Sequence, residues 1–543
     1  MRRATQIQTS LSINADGGGS AWSPFRHAAF TVLWVATILS NIGTWMQNAA
    51  AGWLMTSLSR DPFEVALVQA VGTLPMFLFS LPAGALADIV DRRRLIIAVQ
   101  IVTTGLVALF AVLVWLDWVT PNQLLTFLFL SGIAAILAAP AWQAIVPDLV
   151  PKKDLSAAVA LNGVGFNVSR AIGPALAGPA IAALGMAAPF WLNALSTLAV
   201  IAALTWWQGA EPIVQSLPAE HFRNAIRGGL RYARYNPQLR ATLIRSAGFF
   251  PFASVYWALL PLLARGQIGG GPELYGVLLG AIGAGAVVGA FALRARARLG
   301  ADRIVVAATV GTALSLALFA VARGPATALV ACVLAGISWI AVIATLNVSA
   351  QLALPSWVRG RGLAIFATVM FAGLAVGSAV WGQAAQAIGL PAAHIVAAIM
   401  LVALVPLLGR WKLQTGAGLD LAPSMHWPAP LLSNDIEPDR GPVLVTIEYI
   451  VAPADRAAFV TAMDQLASER RRDGAYDWGI YEDAAKERVF VETFHVDSWL
   501  EHLRQHQRVT NADRVLQNSV HSFHAGGDPT VRHLIAARRS EKT

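Results

Sequence analysis

The chain holds one cysteine, Cys332, set in an apolar run of a 543-residue sequence. That excludes an internal disulfide and a cysteine-based zinc site. Charged residues are scarce at 13%, where an average soluble protein carries about 25%. No Asp or Glu falls in the middle of any long apolar stretch. No Gly-x-x-x-x-Gly-Lys-Ser/Thr loop is present to cradle a nucleotide phosphate, which argues against ATP drive. No Gly-x-Gly-x-x-Gly loop before a helix and no complete catalytic triad is legible, so neither an enzyme nor a cofactor is expected. What is abundant is apolar: 56% of residues, a mean hydropathy of +0.57, 45 Gly and 18 Trp. This composition excludes a disordered chain, a coiled coil and a collagen-like rod, and predicts a polytopic protein of the lipid bilayer.

A helix needs about 20 apolar residues to cross a bilayer. Twelve such spans are expected: 28–50, 65–87, 95–116, 122–145, 156–184, 187–207, 243–264, 273–293, 303–322, 326–350, 361–387 and 391–410. They divide into a half at 28–207 and a half at 243–410, joined by a central loop at 208–242 and preceded by a flexible stretch at 1–27. The first span is too long, and too far from the start, for a cleaved signal peptide. Alternate loops share Lys and Arg 20 to 3. That bias expects both termini and the central loop in the cytoplasm, in the inner membrane. The net charge of +9 is then a set of anchors for anionic headgroups, and no nucleic-acid partner is expected.

The halves align at an offset of 204–205. Gly84-Ala85-Leu86-Ala87-Asp88, followed by Arg92 to Arg94, matches Gly289-Ala290-Phe291-Ala292-Leu293, followed by Arg294, Arg296 and Arg298. Pro151 matches Pro355, and Gly173 and Gly178 match Gly377 and Gly382. Three matches in order support a duplicated six-helix unit.

The loop Gly84-Ala85-Leu86-Ala87-Asp88-Ile89-Val90-Asp91-Arg92-Arg93-Arg94 resembles the cytoplasmic signature of the major facilitator superfamily. Ile89 stands where a basic residue is usual and Asp91 where a glycine is usual. The resemblance implies a gate latch at Gly84, Asp88, Arg92 and Arg93; an ordinary positive-inside loop is the competing reading. Three further stretches, Asn162 to Pro174, Tyr232 to Arg240 and Leu354 to Gly362, resemble the transmembrane secretion effector branch, which includes the bacterial enterobactin exporter. The branch implies export of small amphipathic molecules, siderophore or drug-like, by alternating access and proton antiport. No residue of the sequence stands out to carry the proton.

Span five carries most of the candidate chemistry. Gly173-Pro174 with Gly178 resembles part of the superfamily's antiporter motif, with Ala177 where a second glycine is usual; plain helix packing competes. Arg170 falls about 20 Å along the span, where a cation costs several kcal/mol unless it is paired or faces water. Asn167 is the neighbour that can share its face. In span one, Asn41, Thr44 or Trp45, and Asn48 share a face and are expected to line a cavity, with interhelix hydrogen bonding as the alternative. Gln69, Gln143, Trp257 and Asn347 are weaker candidates. Gly276, Gly280, Gly285 and Gly289 in span eight, with Gly377, are expected at packing and hinge positions.

After Trp411 the composition changes. Residues 411–440 read as a Pro/Gly linker. Residues 441–543 hold 13 basic and 15 acidic residues and read as a soluble domain. Its pattern is strand, helix, strand, strand, helical segments, strand: the ferredoxin-like order. It resembles the dimeric α+β barrel domains of antibiotic-biosynthesis monooxygenases, which implies self-association. Six of the ten histidines lie here, and His502 and His506 stand at i, i+4 on an expected helix. No further ligand completes a metal set, so a polar barrel lining or a dimer surface is expected there and no metal. A membrane sensor, or a transporter fused to an enzyme that binds or oxidises a metabolite, stays open beside the exporter.

Overall fold

The computed structural model describes residues 21–207, 222–295, 299–414, 420–424, 426–427 and 436–537, with the backbone alone at 81, 84–89, 222–226 and 293–295. Six long helices form the first half: α1 (Ala28–Leu58), α2 (Pro62–Ile89), α3 (Arg92–Trp115), α4 (Pro121–Leu149), α5 (Leu155–Leu184) and α6 (Ala188–Trp206). A short α7 (Phe222–Tyr235) occupies the central connection. Then come α8 (Pro237–Leu262), α9 (Pro272–Ala295), α10 (Ala301–Val321), α11 (Pro325–Leu352), α12 (Arg359–Ile388) and α13 (Leu390–Leu408). Helix α8 starts at Pro237, earlier than the 243 expected, because Asn236 caps it by accepting from Leu239 N at 2.7 Å. Proline opens several of these helices, where its missing N–H leaves nothing unsatisfied.

Among the described residues, eleven helices are long and apolar enough to cross a membrane, against twelve expected spans. The twelfth long helix is α5, which is not among them. Its run Asn162-Gly163-Val164-Gly165-Phe166-Asn167-Val168-Ser169-Arg170 lowers its hydropathy. The long helix that falls short of a span's hydropathy is thus the one that carries the mid-span cation.

The duplication is visible in the packing. Helices α5 and α12 end on glycines with positive φ, Gly185 (89°) and Gly389 (83°), a conformation that disfavours other residues. Gly173 on α5 abuts the first helix of its own half: an added Cβ would lie 2.8 Å from Ile42 O. Its counterpart Gly377 on α12 abuts α8, with Pro251 Cα at 2.6 Å. Gly178 faces the second helix of the other half, where an added Cβ would lie 2.7 Å from Glu273 Cα on α9. Gly382 does the same toward α2, where an added Cβ would lie 2.5 Å from Ala66 Cβ and 3.2 Å from Phe63 Cα. The halves meet along these two seams, α5 with α9 and α2 with α12.

The tail contains β1 (Val443–Ile450), α14 (Arg456–Asp473), β2 (Tyr476–Glu482), β3 (Val489–Val496), α15 (Trp499–Arg508), α16 (Asn511–His521) and β4 (Thr530–Ile535). The sheet order is β2-β3-β1-β4, with every neighbour antiparallel. Val443, Val445, Ile447 and Tyr449 alternate inward along β1, the period a one-sided sheet requires. They pack with Phe459, Met463 and Leu466 of α14.

Candidate transport site between the halves

Arg170 stands at the middle of the bundle, half-buried. Its guanidinium lies over three tryptophan rings: Trp45 of α1 at 5.5 Å, Trp257 of α8 at 5.3 Å and Trp339 of α11 at 5.6 Å. One ring comes from the cation's own half and two from the other. Trp257 and Trp339 meet edge to face at 5.5 Å, and Phe250 props Trp339 at 5.6 Å. A desolvated cation–π contact is worth about 2 kcal/mol, so the rings offset much of the cost of a mid-membrane cation, about 2.5–3.5 kcal/mol on insertion scales. The N–H groups are a separate matter. Among the described residues, Arg170 makes no hydrogen bond and no ion pair.

The seam beside the site is made of glycine. On α9, a Cβ at Gly276 would meet Pro174 O at 2.8 Å and Gly178 N at 3.1 Å; one at Gly280 would meet Ala175 Cβ at 3.1 Å. Gly285 and Gly289 face α11, where a Cβ on Gly289 would meet Ile337 Cα at 2.9 Å. Pro174 and Gly178 of α5 and Gly276 and Gly280 of α9 are therefore two sides of one seam, while Gly285 and Gly289 pack within the second half.

The bundle is closed at the end away from its termini. Arg265 donates to Thr56 Oγ1 at 3.0 Å and Ser57 Oγ at 2.7 Å, and stands over Trp53 at 5.4 Å. Trp53 stacks on Tyr275 at 5.9 Å, and Gln386 Nε2 donates to Asp61 Oδ2 at 3.1 Å. Each contact joins one half to the other.

The remaining expected residues are placed as follows. The side chains of Gly84 and Asp88 lie outside the described residues. Arg93 donates from Nε to Leu204 O at 2.8 Å and from Nη2 to Thr205 O at 3.2 Å, where the α6 C-terminus favours a cation. Arg92 reaches Ala144 O at 3.5 Å. Asp91 caps α3, accepting from Arg94 N at 2.7 Å. Asn167 is exposed and donates to Gly163 O at 2.8 Å. Asn48 is exposed and Asn41 half-buried. The buried amide of α1 is Gln47, which accepts from Asn193 Nδ2 at 2.7 Å; Thr44 Oγ1 donates to Asn193 Oδ1 at 3.3 Å. Gln47, Asn193 and Trp339 were not singled out in the sequence. Gln47 sits one residue from Asn48, about 100° around the helix. No sequence signal marks Trp339.

The tail has a polar core of its own. Glu492, fully buried, accepts from Arg470 Nε at 3.1 Å, Tyr449 Oη at 3.1 Å and Trp478 Nε1 at 2.9 Å. His502 and His506 are adjacent, Nε2 to Nε2 3.3 Å. Burial, then the neighbouring His533, pushes His502 down to about 3 and His506 down to about 4. Burial beside Asp513 pushes the Glu469 carboxyl up to about 8. No group of three or more His, Cys, Asp or Glu among the described residues is placed to hold a metal ion. The tail docks on α7 and on the α11–α12 loop. Arg472 lies over Tyr232 at 5.5 Å, Arg508 over Trp357 at 4.6 Å, and Arg231 pairs with Glu501 at 3.6 Å.

Two pseudo-symmetric six-helix halves, with a polar site where they meet, define a multi-pass membrane transporter of the major facilitator class. The chain belongs to the transmembrane secretion effector family, whose profile matches residues 19–541, the tail included. It is 26% identical over 265 residues to the staphyloferrin A transporter of Staphylococcus aureus, covering 48% of this chain and 65% of that one. The match therefore spans just under two thirds of that relative's length. It is also 26% identical over 300 residues to the enterobactin exporter of Shigella boydii, covering 54% of this chain and 70% of that one. Among solved structures, it superposes on a bacterial homolog of the human lysosomal transporter Spinster, inward-facing and unoccupied. The TM-score is 0.54 at 14% identity, over 72% of this chain and 98% of that one. This last likeness concerns the fold.

Proposed function

We propose that the chain is a secondary active exporter of small amphipathic molecules, of the siderophore or drug class. It works by alternating access in the cytoplasmic (inner) membrane, with both termini cytoplasmic and no catalysis of its own. The observation that carries this is Arg170 within rings from both halves, below an end closed by contacts between those halves. Rocking about the two glycine seams opens that end and closes the other, and Arg92 and Arg93 with Gly84 and Asp88 latch the cytoplasmic side. The relatives named for siderophore transport favour the substrate class. Proton coupling, expected from the resemblance, lacks a mid-span carboxylate among the described residues: every described Asp and Glu of 28–410 lies near a helix end or in a loop. The test is transport by the purified chain in vesicles, with a panel of siderophores and amphipathic dyes. Chain-dependent flux of at least one compound is expected, and flux equal to empty vesicles for all of them overturns the reading.

The docked tail favours a second role, as a ligand-sensing regulator of the bundle. Its ferredoxin-like βαββαβ order and the exposed apolar Val531 and Leu534 on β4 also support self-association of the tail. Export compared with and without residues 441–543 tests the regulatory part. Identical rates and identical ligand response would remove it.

A further inference from the structure

Resting on the exporter reading, the geometry points to a narrower substrate: an anionic aromatic molecule whose carboxylate-type group pairs with Arg170, and whose charge couples export to the membrane potential. Arginine presents five N–H donors in a planar fork that matches a carboxylate two bonds at a time. At Arg170 no described residue takes any of them, and no described carboxylate stands within ion-pair distance. The rings of Trp45, Trp257 and Trp339 answer the charge through their π faces but accept no conventional hydrogen bond. A planar, negatively charged acceptor fits that open fork. The surroundings are aromatic: Phe166, exposed, meets Trp45 at 6.1 Å, while Phe250, fully buried, backs Trp339 at 5.6 Å. An aromatic body attached to the anion finds stacking surface there.

The chain surrounds its more deeply buried arginines differently, which sets the open fork of Arg170 apart. Arg245 of α8, only 3% exposed, is held by Asp302 Oδ1 at 2.7 Å and by Trp411 O at 2.9 Å. Arg470 has Glu492, and Arg472 has Asp473 and Asp513. Arg170, by contrast, stands at mid-span.

The same arrangement supplies a driving force. A proton antiporter needs a mid-membrane group that alternately binds and releases a proton. Here every acidic residue between 28 and 410, among the described residues, lies near a helix end or in a loop. Arg170 stays charged, so the bound anion alone carries net charge across. An anion leaving a cell that is negative inside moves downhill. One charge at 100 mV corresponds to about a fifty-fold gradient at equilibrium.

The test uses the full chain and three probes of one shape: 1-naphthoate, neutral 1-naphthamide and cationic 1-naphthylmethylammonium. Binding is followed in detergent by tryptophan fluorescence and calorimetry. We expect naphthoate to bind at least tenfold tighter than the amide, and the ammonium weakest. The preference falls to under twofold in Arg170→Met and is partly kept in Arg170→Lys. Equal affinity for acid and amide in the unaltered chain overturns the assignment without any variant, as does undiminished naphthoate binding by a folded Arg170→Met chain. In vesicles, naphthoate flux above protein-free controls should follow an imposed valinomycin–potassium potential and ignore a pH gradient. Flux driven by the pH gradient alone overturns the electrical coupling. Chain-dependent export of a dye without any anion preference leaves the exporter reading standing and sinks only this one, whereas no flux of any compound sinks the exporter reading itself.

Discussion

Arg170 in the bundle and Arg470 in the tail both lie against tryptophan, Arg170 over three rings and Arg470 over Trp427 at 5.0 Å. They differ in what completes the environment. Arg470 also has Glu492, itself tied by Tyr449 and Trp478. Arg170 has no carboxylate among the described residues. A buried arginine whose task is structural is closed by a carboxylate, since a charge left alone costs several kcal/mol. An arginine whose task is to meet something else keeps its donors open, and aromatic faces are the means of holding it meanwhile. The rings cost little because they also serve as packing.

The comparison breaks most sharply under matched substitutions. Arg470→Met should destabilise the tail by about 3–5 kcal/mol, because it strands the buried charge of Glu492. Arg170→Met should leave thermal melting in detergent unchanged or slightly raised while export falls at least tenfold, with Arg170→Lys between. Equal loss of stability in both variants would make Arg170 a structural residue like Arg470. The seams come next. Gly276→Val forces a branched side chain against Pro174 O and Gly178 N and should cost about 1–3 kcal/mol, with transport reduced. The same substitution at Gly382, on the symmetric seam, should behave alike; a transport defect at one seam only would show that the halves do not rock about both.

Smaller effects sharpen the tail's side of the comparison. Glu469 titrates near 8 in the folded chain against 4.5 for a free glutamate, because of burial. A raised acid contributes stability that is fully present below about pH 4.5 and is lost as pH rises through about 8. Glu469→Gln should therefore melt higher than the unaltered tail at pH 9 and alike near pH 5; a constant difference across that range would exclude the titration. His502 and His506 act on the acid side. Their depressed values give stability that is present above pH 6.5 and lost as pH falls toward 3 to 4. The least effect is expected at Arg231→Ala. Its partner Glu501 is 3.6 Å away and the pair is partly exposed, so the loss should stay under about 1 kcal/mol. Limited proteolysis between bundle and tail at low and high salt would register it; full release of the tail would mean that the pair dominates the docking.

Much of this was legible in order along the chain. Apolar runs of span length marked the helices, and the 204-residue offset marked the duplication now seen at Gly173 and Gly377 and at Gly178 and Gly382. The strand–helix pattern of 441–543 anticipated the sheet, because a one-sided sheet writes its period of two into the sequence. Helical phase was less secure. On α1 the sequence singled out Asn41, Trp45 and Asn48 but not Gln47, the amide that joins α1 to α6, one residue and about 100° from Asn48. Central loop 208–242 gave no sign that α7 would become the landing place of the tail.

The sequence by itself determined a membrane bundle of two related halves, a soluble tail, and a cation at mid-span without an acid to match it. These are properties of composition and local period, and each residue carries them alone. Which rings surround that cation was decided only by tertiary structure. Trp45, Trp257 and Trp339 lie on three helices separated by up to hundreds of residues, and each looks like ordinary membrane tryptophan. They become one site because close packing at glycine seams brings α1, α5, α8 and α11 around a common axis, and no periodicity along one helix records the rotation of its neighbour.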